Sequence, residues 1–222
     1  MFKKSLAIIF GILIFAHSLP VSANDNNVLW GIKANVDAEL PGNFKGEHNS
    51  EKLFYPGAGF SIGMVSNVYL GKNFYFEPGI SFYYSNYKYD LVIMQENENV
   101  NNPKIIKYGL ELPLTFGYEF NFSEKFEMCL FTGPQLRYAL GGDVDIRQKD
   151  VKEEYGALLL WDSYKRFDCS WKIGVGFPIN RLMLSIEADL GLINLYKTSE
   201  LTGKSNMSFR ENRVGVGLTY YF

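Results

Sequence analysis

The stretch Arg213-Val-Gly-Val-Gly-Leu-Thr-Tyr-Tyr-Phe222 decides the fold. Val214, Val216, Leu218, Tyr220 and Phe222 are apolar, while Arg213, Gly215, Gly217, Thr219 and Tyr221 between them are small, polar or amphipathic. Alternation with a period of two predicts a β-strand with one oily face and one wet face. The strand is expected to close a structure whose first strand pairs with it.

Working backwards, the same alternation recurs seven times. Val28, Trp30, Ile32, Ala34, Val36 and Ala38 stand against Lys33, Asn35 and Asp37, and Ala58, Phe60, Ile62 and Met64 against Gly57, Gly59, Ser61 and Gly63. Phe74 to Tyr84 oppose Tyr75, Glu77, Ser81 and Tyr83, and Tyr108 to Phe120 oppose Gly109, Glu111, Pro113, Thr115 and Glu119. Phe126 to Tyr138 alternate with Glu127, Cys129, Gln135 and Arg137, and Phe167 to Ile179 with Arg166, Asp168, Ser170 and Lys172. Leu182 to Leu192 alternate with Ser185, Glu187 and Asp189.

Short reversals at Gly71–Asn73, Asn121–Lys125 and Pro178–Arg181 take turns with long polar loops at Glu39–Tyr55, Lys88–Lys107, Gly141–Lys165 and Tyr196–Phe209. An even strand number, with short turns at one end and long loops at the other, is the habit of outer-membrane barrels. In lipid no strand edge can be left unpaired. The expected fold is all-β, an eight-stranded antiparallel up-and-down transmembrane barrel.

A soluble β-sandwich or lipocalin-like barrel would alternate too, with its apolar face inward. The aromatic residues separate the two readings. About ten residues of a tilted strand cross the apolar layer, and amphipathic rings gather at its borders. Tyr108 and Tyr118 bracket one strand, Phe167 and Phe177 another, and Phe74/Phe76 with Phe82/Tyr84 a third. Trp30, Phe76, Tyr118, Phe126, Phe177 and Tyr220 would then form one girdle at the short-turn border.

The N-terminus reads as an export signal. Lys3 and Lys4 precede an apolar run from Leu6 to Ala16, and Val21-Ser22-Ala23 is a small-residue cleavage site. Residues 1–23 are expected to be a signal peptide and 24–222 the barrel domain. No later run reaches the length of a transmembrane helix. A formal charge of −2 carries no basic footprint, so nucleic acid is not an expected partner. The expected location is the outer membrane of a Gram-negative bacterium, with both termini periplasmic.

If the oily face meets lipid, the other face lines the lumen. It collects Lys33, Glu77, Glu111, Glu127, Arg137, Arg166, Asp168, Lys172, Glu187, Asp189 and Arg213. Eight strands enclose room for side chains and little else, so these charges are expected to pair and plug the interior. The alternative is a narrow path for small solutes. The glycines on the lumen face are steric in this reading, and Pro113, lacking an amide hydrogen, is expected to mark a bulge or a water site. Cys129 and Cys169 fall on opposite faces, so two free thiols are expected.

No catalytic, cofactor or metal residues are assigned. His48, near Glu47 and Ser50, is one histidine in a polar loop, which leaves a lipid-modifying outer-membrane enzyme as the last of the alternative readings. Asp143 and Asp145 are too few for a coordination shell.

Gly109-Leu-Glu-Leu-Pro-Leu114, Gly133-Pro-Gln-Leu136, Ile173-Gly-Val-Gly-Phe177, Leu182 to Asp189 and Gly191-Leu-Ile-Asn194, with the aromatic terminus, resemble the PorT-like outer-membrane β-barrel family. The resemblance implies an integral outer-membrane barrel delivered by the barrel-assembly machinery, with Tyr220 and Phe222 as the assembly signal. It leaves a structural or surface-interaction role through the long loops, with membrane lipid and an envelope or extracellular protein as partners. Where family members often carry an Arg-Tyr pair in the penultimate strand, this chain has Glu187-Ala188-Asp189, so a shared lumen interaction is not carried over.

Overall fold

The computed structural model describes residues 28–42, 44–45, 50–51, 54–89, 104–123, 126–145, 164–196 and 209–222. The leader assigned to residues 1–23 lies outside them, as does His48. The strands are β1 (Val28–Pro41), β2 (Phe44–Lys45), β3 (Ser50–Glu51), β4 (Phe54–Tyr69) and β5 (Phe74–Tyr89), followed by β6 (Lys104–Ser123) and β7 (Phe126–Asp145). Then come β8 (Phe167–Ile179), β9 (Leu182–Gly191) and β10 (Glu211–Tyr221).

Eight of these close a barrel in the order β1-β10-β9-β8-β7-β6-β5-β4, every neighbour antiparallel. The two-residue strands β2 and β3 pair with each other inside the first long loop. The opening stretch does what its pattern requires. In β10, Val216 faces Val36, Leu218 faces Ala34 and Tyr220 faces Ile32 across the seam with β1. The amide of Phe222 donates to the Trp30 carbonyl at 2.9 Å and fastens the end of the chain to the first strand.

Polarity is inverted relative to a soluble protein. Ile32, Ile62, Leu130, Ile173, Leu184, Ile186, Val216 and Leu218 are exposed on the outside, while Lys33, Glu111, Lys172 and Arg213 are enclosed. Oily side chains on the outer wall are stable only against hydrocarbon, and that condition fixes the register of every strand.

At the short-turn end the rings form a contacting belt. Phe74 meets Tyr118 at 4.6 Å, Tyr118 meets Phe120 at 4.7 Å, and Phe122, Phe126 and Phe177 continue it at 5.8 and 6.5 Å. At the other end Phe60 stacks on Tyr84 at 5.6 Å and Phe82 lies 6.4 Å from Tyr108.

Several details differ from the sequence reading. Strands run further into the long loops: β5 reaches Tyr89, β6 begins at Lys104 and β7 reaches Asp145. At 20 residues each, β6 and β7 are roughly twice as long as a membrane crossing needs. Pro113 sits opposite Gln135 with no change of register. The irregularities fall instead between Tyr108 and Gly109, between Asn121 and Ser123, and between Tyr55 and Ala58. A proline whose missing amide interrupts one rung does not require an extra residue.

The β8–β9 turn is tight, with Asn180 at φ 57, a left-handed position that asparagine tolerates better than most residues. Both cysteines are free. Cys129 is buried inside, 3.6 Å from the Met183 sulfur, and Cys169 is half-buried on the outer wall.

Candidate functional site

The lumen is a candidate site because it concentrates most of the charge that the strands carry. Among the described residues five cations are buried there: Lys33, Lys107, Arg137, Lys172 and Arg213. Eight carboxylates accompany them: Asp37, Glu39, Glu77, Glu111, Asp168, Glu187, Asp189 and Glu211. Charges so enclosed need partners, because an isolated buried ion is expensive.

The pairs form layers. Lys33 lies 2.6 Å from Glu187 and 3.7 Å from Glu77, and Lys172 bonds Glu187 and stands 3.7 Å from Asp189. One level up, Arg213 donates through Nε to Asp189 at 3.2 Å and through Nη2 to Ser170 at 2.8 Å, with Asp168 at 3.6 Å. Arg137 donates to Glu111 at 2.9 Å, approaches Glu39 at 3.5 Å and lies over the Tyr83 ring at 4.5 Å. Gln135 donates its amide to the same Glu111 oxygen at 3.0 Å.

Glycine makes these reaches possible. A Cβ on Gly217 of β10 would come within 2.5 Å of Ser185 Oγ and 3.1 Å of Glu187 Oε1, so the bare backbone there lets Lys33 on β1 meet Glu187 on β9. Gly117 serves the floor, where a Cβ would fall 2.0 Å from the Tyr75 ring.

Both ends are shut by apolar groups. At the short-turn end Tyr75, Cys129, Phe131 and Met183 pack together with Tyr69 and Tyr221. Tyr221 donates to Glu77 at 2.6 Å and Tyr69 to Glu119 at 2.8 Å. At the long-loop end Tyr87, Ile105, Leu195 and Phe209 form a roof with Tyr164, Ile193 and Tyr196 around it. Beneath that roof Lys107 bonds Glu211, which also accepts the Tyr87 hydroxyl at 2.8 Å. A cavity of about 10 Å³ lies there, lined by Arg137, Asp168, Glu211 and their neighbours, which is room for a water and no larger solute.

Nine of the eleven residues named from sequence are enclosed: Lys33, Glu77, Glu111, Arg137, Asp168, Lys172, Glu187, Asp189 and Arg213. Glu127 and Arg166 are not. Glu127 is exposed one residue into β7 at the short-turn end, and Arg166 is exposed just before β8, where its Nη1 donates to the Leu140 carbonyl at 3.1 Å. Alternation is a poor guide at strand ends, where neither lipid nor lumen surrounds the side chain.

Sequence reasoning left out Lys107, Glu211 and Tyr87. Lys107 stands on a strand end that was assigned to a loop, and Tyr87 and Glu211 stand between the loops and the strands that the alternation marked. Glu39 was left out too, although it continues the phase of Lys33, Asn35 and Asp37, and that signal was available.

A family model described as "Outer membrane protein beta-barrel domain" matches residues 15–197. No curated protein matched. Among solved structures, Neisserial surface protein A is 13% identical, with 87% of this chain and 97% of that one covered at a TM-score of 0.43. The outer membrane protein OprG from Pseudomonas aeruginosa is 8% identical over 88% and 96%, also at 0.43. The attachment invasion locus protein of Yersinia pestis is 12% identical over 87% and 98%, at 0.37.

Proposed function

Because this chain belongs to the outer membrane protein β-barrel domain family and is an integral outer-membrane protein, we propose that it is a sealed barrel whose work is done at its long-loop end. The observation that carries this reading is the doubly capped lumen, with ion pairs between an apolar floor and an apolar roof. A sealed interior leaves the surface as the place to act. Both termini are then periplasmic, and the four long connections face outward to meet an envelope or extracellular protein. Within the family, Gly109–Leu114 and Gly133–Leu136 favour a PorT-like affiliation.

Two outcomes test the reading. Purified barrel in planar bilayers is expected to give no steady conductance steps, and an epitope inserted between residues 146 and 163 should bind antibody on intact cells. Regular steps would replace the plug with a pore, and an epitope reachable only after lysis would reverse the orientation. The reading assigns no catalysis to the chain. Lipid A and phospholipid profiles of cells carrying His48→Ala are therefore expected to equal those of wild type, and an accumulated lipid species would overturn that part.

A further inference from the structure

At the long-loop end the polarity of the barrel flips back to the soluble kind. On β5 and β6, Tyr84 faces Tyr108 and Asn86 faces Ile106, then Lys88 faces Lys104. The residues beside them, Tyr87 and Ile105, point inward into the apolar roof, so Lys88 and Lys104 point outward, and both are exposed. The reversal marks where hydrocarbon ends. Four residues beyond Tyr84, at ~3.3 Å per residue and a tilt of ~40°, place the two ammoniums roughly 10 Å above the aromatic belt. That is the depth of lipid headgroups.

Directly opposed like charges are destabilising in an antiparallel pair. The neighbours by register are Tyr55, opposite Lys88 and exposed on β4, and Asp145, opposite Lys104 on β7. Among the described residues, Asp145 is thus the one carboxylate position that adjoins the two lysines by register. An anion held between them would turn the repulsion into two charge-assisted bonds.

We infer that Lys88 and Lys104 form an outward-facing site for the phosphate headgroup of an outer-leaflet glycolipid. The inference rests on the long-loop end facing outward. Lipids of this kind would then pack against β4, β5 and β6 as a fixed collar beneath the loops.

Native mass spectrometry of the full barrel in detergent, with lipid A bearing its phosphates as the probe, tests this directly. Wild type should retain one lipid, and the Lys88→Gln/Lys104→Gln variant should retain it about tenfold less well or worse. The Lys88→Arg/Lys104→Arg variant should keep it. Heat-modifiable gel mobility checks that each variant is folded, and the wild-type comparison of phosphorylated with dephosphorylated lipid A needs no variant at all.

Equal retention by wild type and the glutamine pair, or equal retention of the dephosphorylated lipid, overturns the site. Complete displacement by millimolar inorganic phosphate overturns the lipid as its source. Detergent makes the measurement blind to orientation, so its failure is distinct from that of the epitope experiment.

Discussion

Replacing Arg213 by methionine is expected to destabilise the folded barrel by about 3–5 kcal/mol, the usual cost of leaving buried counter-charges behind. Arg213 is 1% exposed, and it serves Asp189, Asp168 and Ser170 at once. Methionine would fill the space, strip Asp168 of its ion-pair partner and leave Asp189 with Lys172 alone, at 3.7 Å. Urea unfolding of vesicle-reconstituted protein reads the loss as a lower midpoint at unchanged slope. Adding Asp189→Asn and Asp168→Asn to Arg213→Met should recover much of it, because the orphaned charges go too. A loss below about 1 kcal/mol would mean that water reaches the centre, as in an open channel.

The second large effect sits on the opposite face. Val216 is 54% exposed at the middle of β10, facing Val36. In a water-surrounded barrel an arginine there would cost within about 0.5 kcal/mol. At the midplane of a bilayer Val216→Arg should cost about 2–4 kcal/mol, while Leu182→Arg beside the β8–β9 turn should cost about 0–1 kcal/mol. The same urea titration in vesicles gives both numbers. A flat profile between the two positions would remove the inverted barrel from consideration.

These predictions also show what the amino-acid pattern could reveal. Strand number, order and facing were legible because lipid and lumen demand opposite chemistry at alternate residues, and the demand is strict through the hydrocarbon. That the enclosed charges would pair followed as well, but not which with which: the register that sets Glu111 opposite Arg137 and Asp189 opposite Arg213 was not read from the pattern. The pattern lost its meaning beyond the border. There Tyr87 and Ile105 turn inward while Lys88 and Lys104 turn outward, so continuous strands read as loop. Contacts over an intervening strand, such as Lys33 with Glu187 above Gly217, depend on barrel shear and on an absent side chain. Alternation encodes neither.

The longest of those contacts have a mechanical consequence. Arg137 on β7 reaches Glu39 on β1, and Lys107 on β6 reaches Glu211 on β10, each pair joining walls that stand diametrically apart in the strand order. They act as spokes. A hollow tube of hydrogen-bonded ribbon can be squeezed into an ellipse by lateral pressure at little cost, whereas a spoked one must first break an enclosed ion pair. The rim therefore keeps its outline, and the four loops rising from it stay the same distance apart while the surrounding lipid changes.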